Sequence, residues 1–187
     1  MKILIAPGAF KGSLTATQAA DAIARGLTRS GIDAELVQLP LADGGDGTLD
    51  AFLAQGGERV PMTVQDALGC PIAAAYGILD NGATAVVELA LASGLAQLAQ
   101  PDALAADTYG TGELLAAALN SGAQRIIVGL GGSATTDGGA GALRALGVRF
   151  LDAGGAPISP GGAGLAQLQS IDANALSTRW REVELVL

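Results

Sequence analysis

Short apolar runs, glycine-rich polar loops and segments with apolar residues at helical spacing alternate along the chain. The pattern predicts a buried strand at 2–6, a loop at 7–13 and a helix over 16–29. Thr15 followed by Gln18 forms a capping-box pattern, Ala19, Ile23 and Leu27 recur at helical spacing, and Gly31 ends the segment. A second strand is expected at 34–39, a loop at 40–48 and a short helix at 49–55, stopped by Gly56 and Gly57. This order implies parallel strands joined by right-handed crossovers. From about residue 59 the pattern becomes strand-rich, with strands at 59–64 and 72–79 and the turn Asp80-Asn81-Gly82 leading into a strand at 84–88. Helices are expected at 91–99, 112–121 and 139–146, and strands at 125–129, 148–151 and 183–187. The Gly/Pro-rich stretch 152–164 reads as a loop. The change of pattern places a boundary near Pro61. The expectation is an α/β protein of two dissimilar lobes, residues 1–61 and 62–187, with parallel or mixed sheets of Rossmann or flavodoxin type.

Composition narrows the chemistry. Half of the 187 residues are apolar, 15% are charged and mean hydropathy is +0.43, so the chain is globular. A net charge of −8 and a pI near 4.3 argue against nucleic acid as a partner, since phosphodiester binding needs clustered Lys and Arg. The run 3–6 is stopped by Pro7 and Gly8, and the longest apolar tract, 84–99, carries Glu88. No membrane partner is therefore expected, and the protein reads as soluble and cytoplasmic. Cys70 has no partner for an intramolecular disulfide and reads as a small buried or half-buried thiol in a reducing compartment. The chain contains no histidine, which removes Ser-His-Asp and Cys-His catalysis and His-based zinc sites. Lys2 and Lys11 are the only lysines; Lys2 reads as solvated, whereas Lys11 lies in a loop at a strand's end.

Four loops could carry chemistry. In the stretch 126–141 a strand empties into glycines, hydroxyls and one carboxylate: Gly131 and Gly132 let backbone N–H groups approach an anion, Ser133, Thr135 and Thr136 add donors, and Asp137 can hold a metal or take a proton. Gly129-x-Gly131-x-x-Ala134, with Asp152 some twenty residues on, imitates a dinucleotide fingerprint, but the residues 135–139 intervene before the helix. A glycine loop without ligand is the plain alternative. In the second loop, 40–48, Asp43 and Asp46 stand among Gly44, Gly45 and Gly47 before Thr48. The two carboxylates suit Mg²⁺ or a hydroxyl proton, or else Asp46 or Thr48 simply caps a helix. The third loop carries Lys11 and Ser13, a point charge and a donor for phosphate or carboxylate, without the spacing of a P-loop. The fourth, Asp107 to Glu113, opens a helix with Gly110, Thr111 and Gly112, and Asp107 or Thr108 could serve as an ordinary cap. Glu88 reads as a strand-end glutamate facing solvent in preference to a buried site carboxylate. Glycine loops with carboxylates and no histidine point to metal-assisted phosphoryl transfer, which needs positioning and charge neutralisation more than a strong base.

At these loops the sequence resembles the glycerate kinase family of type 1. The matching stretches are Ile5-Ala-Pro-Gly-Ala-Phe-Lys-Gly-Ser-Leu14, Leu39-Pro-Leu-Ala-Asp-Gly-Gly-Asp-Gly-Thr48, Thr108-Tyr-Gly-Thr-Gly-Glu-Leu114 and the stretch 126–141, in the family's order. The resemblance implies D-glycerate as substrate, ATP and Mg²⁺ as cofactors, 2-phosphoglycerate as product, and a site between two α/β lobes, the second inserted into the first. On it, Lys11, Asp43, Asp46 and Asp137 are the expected catalytic residues, with Asp43 and Asp46 as metal ligands. The expected binding residues are Ser13, Gly44, Gly45, Thr48, Gly110, Thr111, Gly112, Gly131, Gly132, Ser133, Thr135 and Thr136. Gly8 and Ala9 stand where the family usually has Asp-Ser. Family chains also run on beyond a strand equivalent to 183–187, so the chain resembles an N-terminal portion whose first lobe lacks strands. Such a portion is expected to turn over glycerate weakly or not at all, and its uncovered sheet would favour a homodimer. A non-catalytic interaction module and a nicotinamide-dependent oxidoreductase are the other expectations.

Overall fold

The computed structural model describes residues 1–10, 13–54 and 56–187. Strands β1 (Lys2–Ile5) and β2 (Glu35–Gln38) pair in parallel, connected through helix α1 (Ala16–Arg29). The capping box forms in both directions: Gln18 N–H donates to Thr15 Oγ1 at 3.1 Å and Thr15 N–H donates to Gln18 Oε1 at 2.9 Å. Two of the orphan donors at the helix start are thereby satisfied. Ala19 and Ala20 form the buried face of α1. The expected burial of β1 holds for Ile5 only; Leu4 is 60% exposed, because the two-stranded sheet is covered on one face.

The larger sheet has the order β3-β4-β5-β6-β9. Strands β3 (Glu58–Gln65), β4 (Pro71–Leu79) and β5 (Thr84–Glu88) form an antiparallel meander; β6 (Arg125–Gly129) and β9 (Glu184–Val186) then add in parallel, giving a mixed sheet. The β4–β5 connection is the expected turn, with Asp80 and Asn81 both in the left-handed region. Pro61 sits within β3, an edge strand, where its missing N–H costs no ladder bond. The boundary expected at residue 61 thus falls inside a strand. Helix α2 (Thr48–Leu53), moreover, packs Leu49, Phe52 and Leu53 against Ala75 and Val86 of the larger sheet.

The other face of that sheet is covered by α4 (Tyr109–Asn120), whose Leu114, Ala118 and Leu119 meet Tyr76, Val87 and Ile126 in the main core. The helix expected at 91–99 is interrupted: α3 (Ala90–Ser93) stops where Gly94 turns extended, and one 3₁₀ turn follows at Leu95–Gln97. The interruption lets the chain pair with the central loop, Leu95 N–H donating to Gly132 O and Ala134 N–H to Ser93 O. After α5 (Ala140–Ala145), β7 (Arg149–Leu151) leaves the sheet and pairs antiparallel with β8 (Ser170–Asp172), a strand the pattern did not anticipate. Cys70 is exposed, contrary to expectation, because it lies in the tight 66–70 turn between β3 and β4, its N–H bonded to Asp66 Oδ1 at 2.8 Å. Among the described residues, no helix is long and apolar enough to cross a membrane.

Candidate functional site

Strands β5 and β6 run side by side and end together, Glu88 opposite Gly129. The loop after β6 meets the acidic loop after β2 backbone to backbone. Gly131 N–H donates to Gly44 O at 2.7 Å, and a Cβ placed on Gly131 would stand 2.6 Å from Gly45 Cα and 2.7 Å from Gly45 N. A side chain at Gly131 would therefore prise the loops apart; glycine here serves close approach.

The contact builds one wall of a cleft of about 630 Å³. Asp43, Gly45, Asp46 and Gly47 of the acidic loop line it with Gly131 and Gly132, together with Ala9, Phe10, Ser13, Leu14 and Leu41. Three of the four expected loops thus meet, and Ser13 lies among them. Lys11 falls outside the described residues. Asp43 and Asp46 are exposed; Asp43 Oδ1 accepts the Gly45 N–H at 3.2 Å, and Asp46 Oδ1 lies near the Gly132 backbone. Thr48 is buried and donates to Gly45 O at 2.7 Å, which folds the acidic loop on itself. A cavity of about 660 Å³ at the opposite end of β5 has, among the described residues, Glu58 and Asp80 as its charged lining, and Asp80 is bonded to the Thr84 hydroxyl.

Neither Asp46 nor Thr48 caps α2. The N-cap is Gly47, which has no side chain to offer, and Glu88 supplies the acceptors instead: Gly47 N–H donates to Oε1 at 3.0 Å and Leu49 N–H to Oε2 at 2.7 Å. Glu88 is 1% exposed, which corrects its expected solvent-facing position. Burial holds its carboxyl above the ordinary value of 4.5; the two N–H donors oppose that shift, while the charges of Asp46 and Asp50 add to it. Sequence reasoning ranked Glu88 low because its partners lie about forty residues away.

Asp137 is also 1% exposed. Its carboxylate accepts from Thr108 N–H at 2.9 Å, Thr108 Oγ1 at 2.7 Å, Gly139 N–H at 3.1 Å and Gly141 N–H at 2.9 Å. These bonds tie the end of the central loop to the start of α4, and Asp137 is not among the residues lining the cleft. Ser133 and Thr135 share a hydroxyl contact at 2.8 Å, and Thr136 Oγ1 donates to Ala103 O at 2.6 Å. The fourth loop does not join the cleft. Gly110, Thr111 and Gly112 are buried; a Cβ on Gly110 would overlap the Gln65 carbonyl, one on Gly112 would stand 2.6 Å from Ala145 Cβ, and Thr111 Oγ1 contacts Ser93 Oγ at 2.8 Å. Small residues here let α4 approach β3 and α5. Asp107 Oδ1 accepts the Tyr109 N–H at 2.6 Å, and its Oδ2 pairs with Arg144 at 3.1 Å. The dinucleotide fingerprint fails structurally, because β7 lies outside the sheet and Asp152 Oδ1 accepts the Gly154 and Ala156 N–H groups of its own turn.

Among the described residues no group of three or more acidic or thiol side chains converges as a ready metal cage. Two exposed carboxylates at one cleft are nevertheless a donor set suited to Mg²⁺, which keeps waters and is shared with substrate phosphates.

Residues 3–187 match the glycerate kinase family model. The chain is 48% identical to glycerate kinase of Bacillus subtilis over 99% of its own length and 49% of that protein's. It is 46% identical to glycerate 2-kinase of Escherichia coli, over 97% of this chain and 49% of the relative. A crystal structure from Salmonella typhimurium LT2 assigned to glycerate kinase 2 superimposes with a TM-score of 0.83 at 46% identity, covering 99% of this chain and 50% of that one. The chain spans about half the length of these relatives. With its family model matched over residues 3–187 and its glycine loops meeting at one cleft, the chain belongs to the glycerate kinase family.

Proposed function

We propose that the chain carries the substrate- and phosphate-binding loops of an ATP-dependent kinase that phosphorylates D-glycerate to 2-phosphoglycerate. The observation that carries this reading is the backbone contact of Gly131 with Gly44 and Gly45, which sets two carboxylates beside glycine N–H groups at one cleft. In the transfer, a glycerate hydroxyl oxygen bonds to the γ-phosphorus, the bond from that phosphorus to the β,γ-bridging oxygen breaks, and ADP leaves. Asp43 and Asp46 would hold Mg²⁺, which would supply charge neutralisation on the phosphate oxygens, and the Asp46 oxygen not on the metal would accept the hydroxyl proton. The Gly132 N–H and the Ser133 hydroxyl cradle an anion, with Ser13 at the same cleft; Lys11 is assigned as the cation of the first loop on the family resemblance alone. Asp137, saturated by four donors, shapes the central loop instead of moving a proton.

Isothermal titration of the chain with D-glycerate and with Mg·ATP, followed by an ADP-release assay, tests this. Saturable binding of both is expected, together with a loss of about 100-fold in ADP release on Asp46→Asn. Absence of binding, or an Asp46→Asn variant as active as the parent, overturns it. A non-catalytic binding module is the second reading, favoured by the exposed Leu185 and Val186 on edge strand β9. Binding of both ligands without ADP release would support that one.

A further inference from the structure

The acidic loop has little to hold it by itself. Helix α2, which follows it, is only 6 residues long, and its N-cap glycine contributes no side-chain acceptor. An isolated helix of this length does not persist. The loop's register is instead taken from the end of β5, a central strand hydrogen-bonded on both sides. Glu88 closes that strand, fully buried, with each carboxylate oxygen on one N–H of the loop–helix junction. The next residue, Leu89, donates its N–H to Gly129 O at 2.9 Å. Both walls of the glycine contact, Gly44–Gly45 and Gly129–Gly131, are thus referenced to the same strand end, one through the Glu88 side chain and one through the Leu89 backbone.

We propose that Glu88 is the positioning residue of the acidic loop: by accepting the Gly47 and Leu49 N–H groups it sets Asp43 and Asp46 against the Gly131–Gly132 turn. Its effect on turnover rests on the kinase reading above; its effect on the loop does not. An ordinary helix cap would steady α2 alone, whereas a positioning residue also controls Gly131, which it does not touch.

The test compares the full chain with Glu88→Gln and with Leu53→Ala, which loosens α2 from its sheet side without reaching the loop. Amide hydrogen exchange is read by NMR at Gly47, Leu49 and Gly131, and kcat and KM are read with D-glycerate and Mg·ATP. Glu88→Gln puts an NH₂ group against a backbone donor. It should speed exchange about tenfold or more at all three amides, including Gly131. It should also lower kcat about 100-fold while KM for D-glycerate stays within about threefold. Leu53→Ala should speed exchange within α2 but leave Gly131 and kcat within about threefold. If Glu88→Gln does not fold, Glu88→Asp, which keeps the charge but is one methylene short of both N–H groups, carries the same expectations. Unchanged exchange at Gly131, or a kcat no lower than in Leu53→Ala, overturns the proposal. If the parent chain releases no ADP, exchange at Gly131 alone decides the role of Glu88, and the kinase reading fails separately only if the chain also binds neither D-glycerate nor Mg·ATP.

Discussion

Replacing Gly131 with Ala inserts one methyl group where the two glycine loops touch. Its carbon would stand 2.6 Å from Gly45 Cα, 2.7 Å from Gly45 N and 3.0 Å from Gly44 C, all backbone atoms with no rotamer to yield. Carbon contacts relax at about 3.5 Å, so the acidic loop must retreat by roughly 0.9 Å. That displacement stretches the 2.7 Å bond from Gly131 N–H to Gly44 O toward its limit. Overpacking of this kind costs about 1–3 kcal/mol, and loss of the hydrogen bond about 1 kcal/mol, so a destabilisation of about 2–4 kcal/mol is expected. Gly45→Ala serves as the comparison: its Cβ would meet the Asp43 carboxylate at 3.2 Å and Gly131 backbone only at 3.8 Å, so the cost should stay below about 1 kcal/mol. Urea unfolding gives both numbers. A shift of the acidic loop by roughly an ångström should also weaken turnover about 100-fold in Gly131→Ala. A Gly131→Ala variant as stable as the parent, with unchanged ligand binding, would refute the account of the contact.

Other consequences follow from the two buried carboxylates. Asp137→Ala leaves Thr108 N–H, Thr108 Oγ1, Gly139 N–H and Gly141 N–H without their acceptor. It should lower stability by about 3–5 kcal/mol in urea unfolding, and a cost below about 1 kcal/mol would contradict the assignment of Asp137 as the anchor of the central loop. For Glu88, the folded state holds the carboxyl proton more tightly than the unfolded chain, whose value lies near 4.5. Its contribution to stability is therefore fully present below pH 4.5 and is lost as pH rises through the folded value. Glu88→Gln has no such proton, so the stability difference, parent minus variant, should fall with rising pH; a difference that grows with pH would show that the sign is wrong.

Strands β5 and β6 were legible to the residue, because each is a continuous apolar run bounded by a turn or a glycine loop. The capping box of α1 was equally plain, since its partners lie three residues apart. What the pattern could not carry was anything fixed by distant packing. Glu88 looked like a solvent-facing strand end because the acidic loop that covers it comes from far earlier in the chain. Gly110-Thr111-Gly112 looked like an anion loop because glycines serve close backbone approach to protein and to phosphate alike, and sequence does not distinguish the two. The helix expected at 91–99 ends early for the same reason: Ser93 and Leu95 turn their backbone groups to the central loop, a partner no local propensity registers.

The central claim, that the acidic loop and the glycine turn after β6 form one ligand site, is tested most directly by NMR titration of the chain with D-glycerate and Mg·ATP. The account predicts that the amides of Gly44, Gly45, Asp46, Gly131 and Gly132 move together along one saturation curve while those of Gly110, Thr111 and Gly112, buried in the first turn of α4, stay in place. Shifts confined to the 110–112 amides, or separate curves for the two loops, would contradict it.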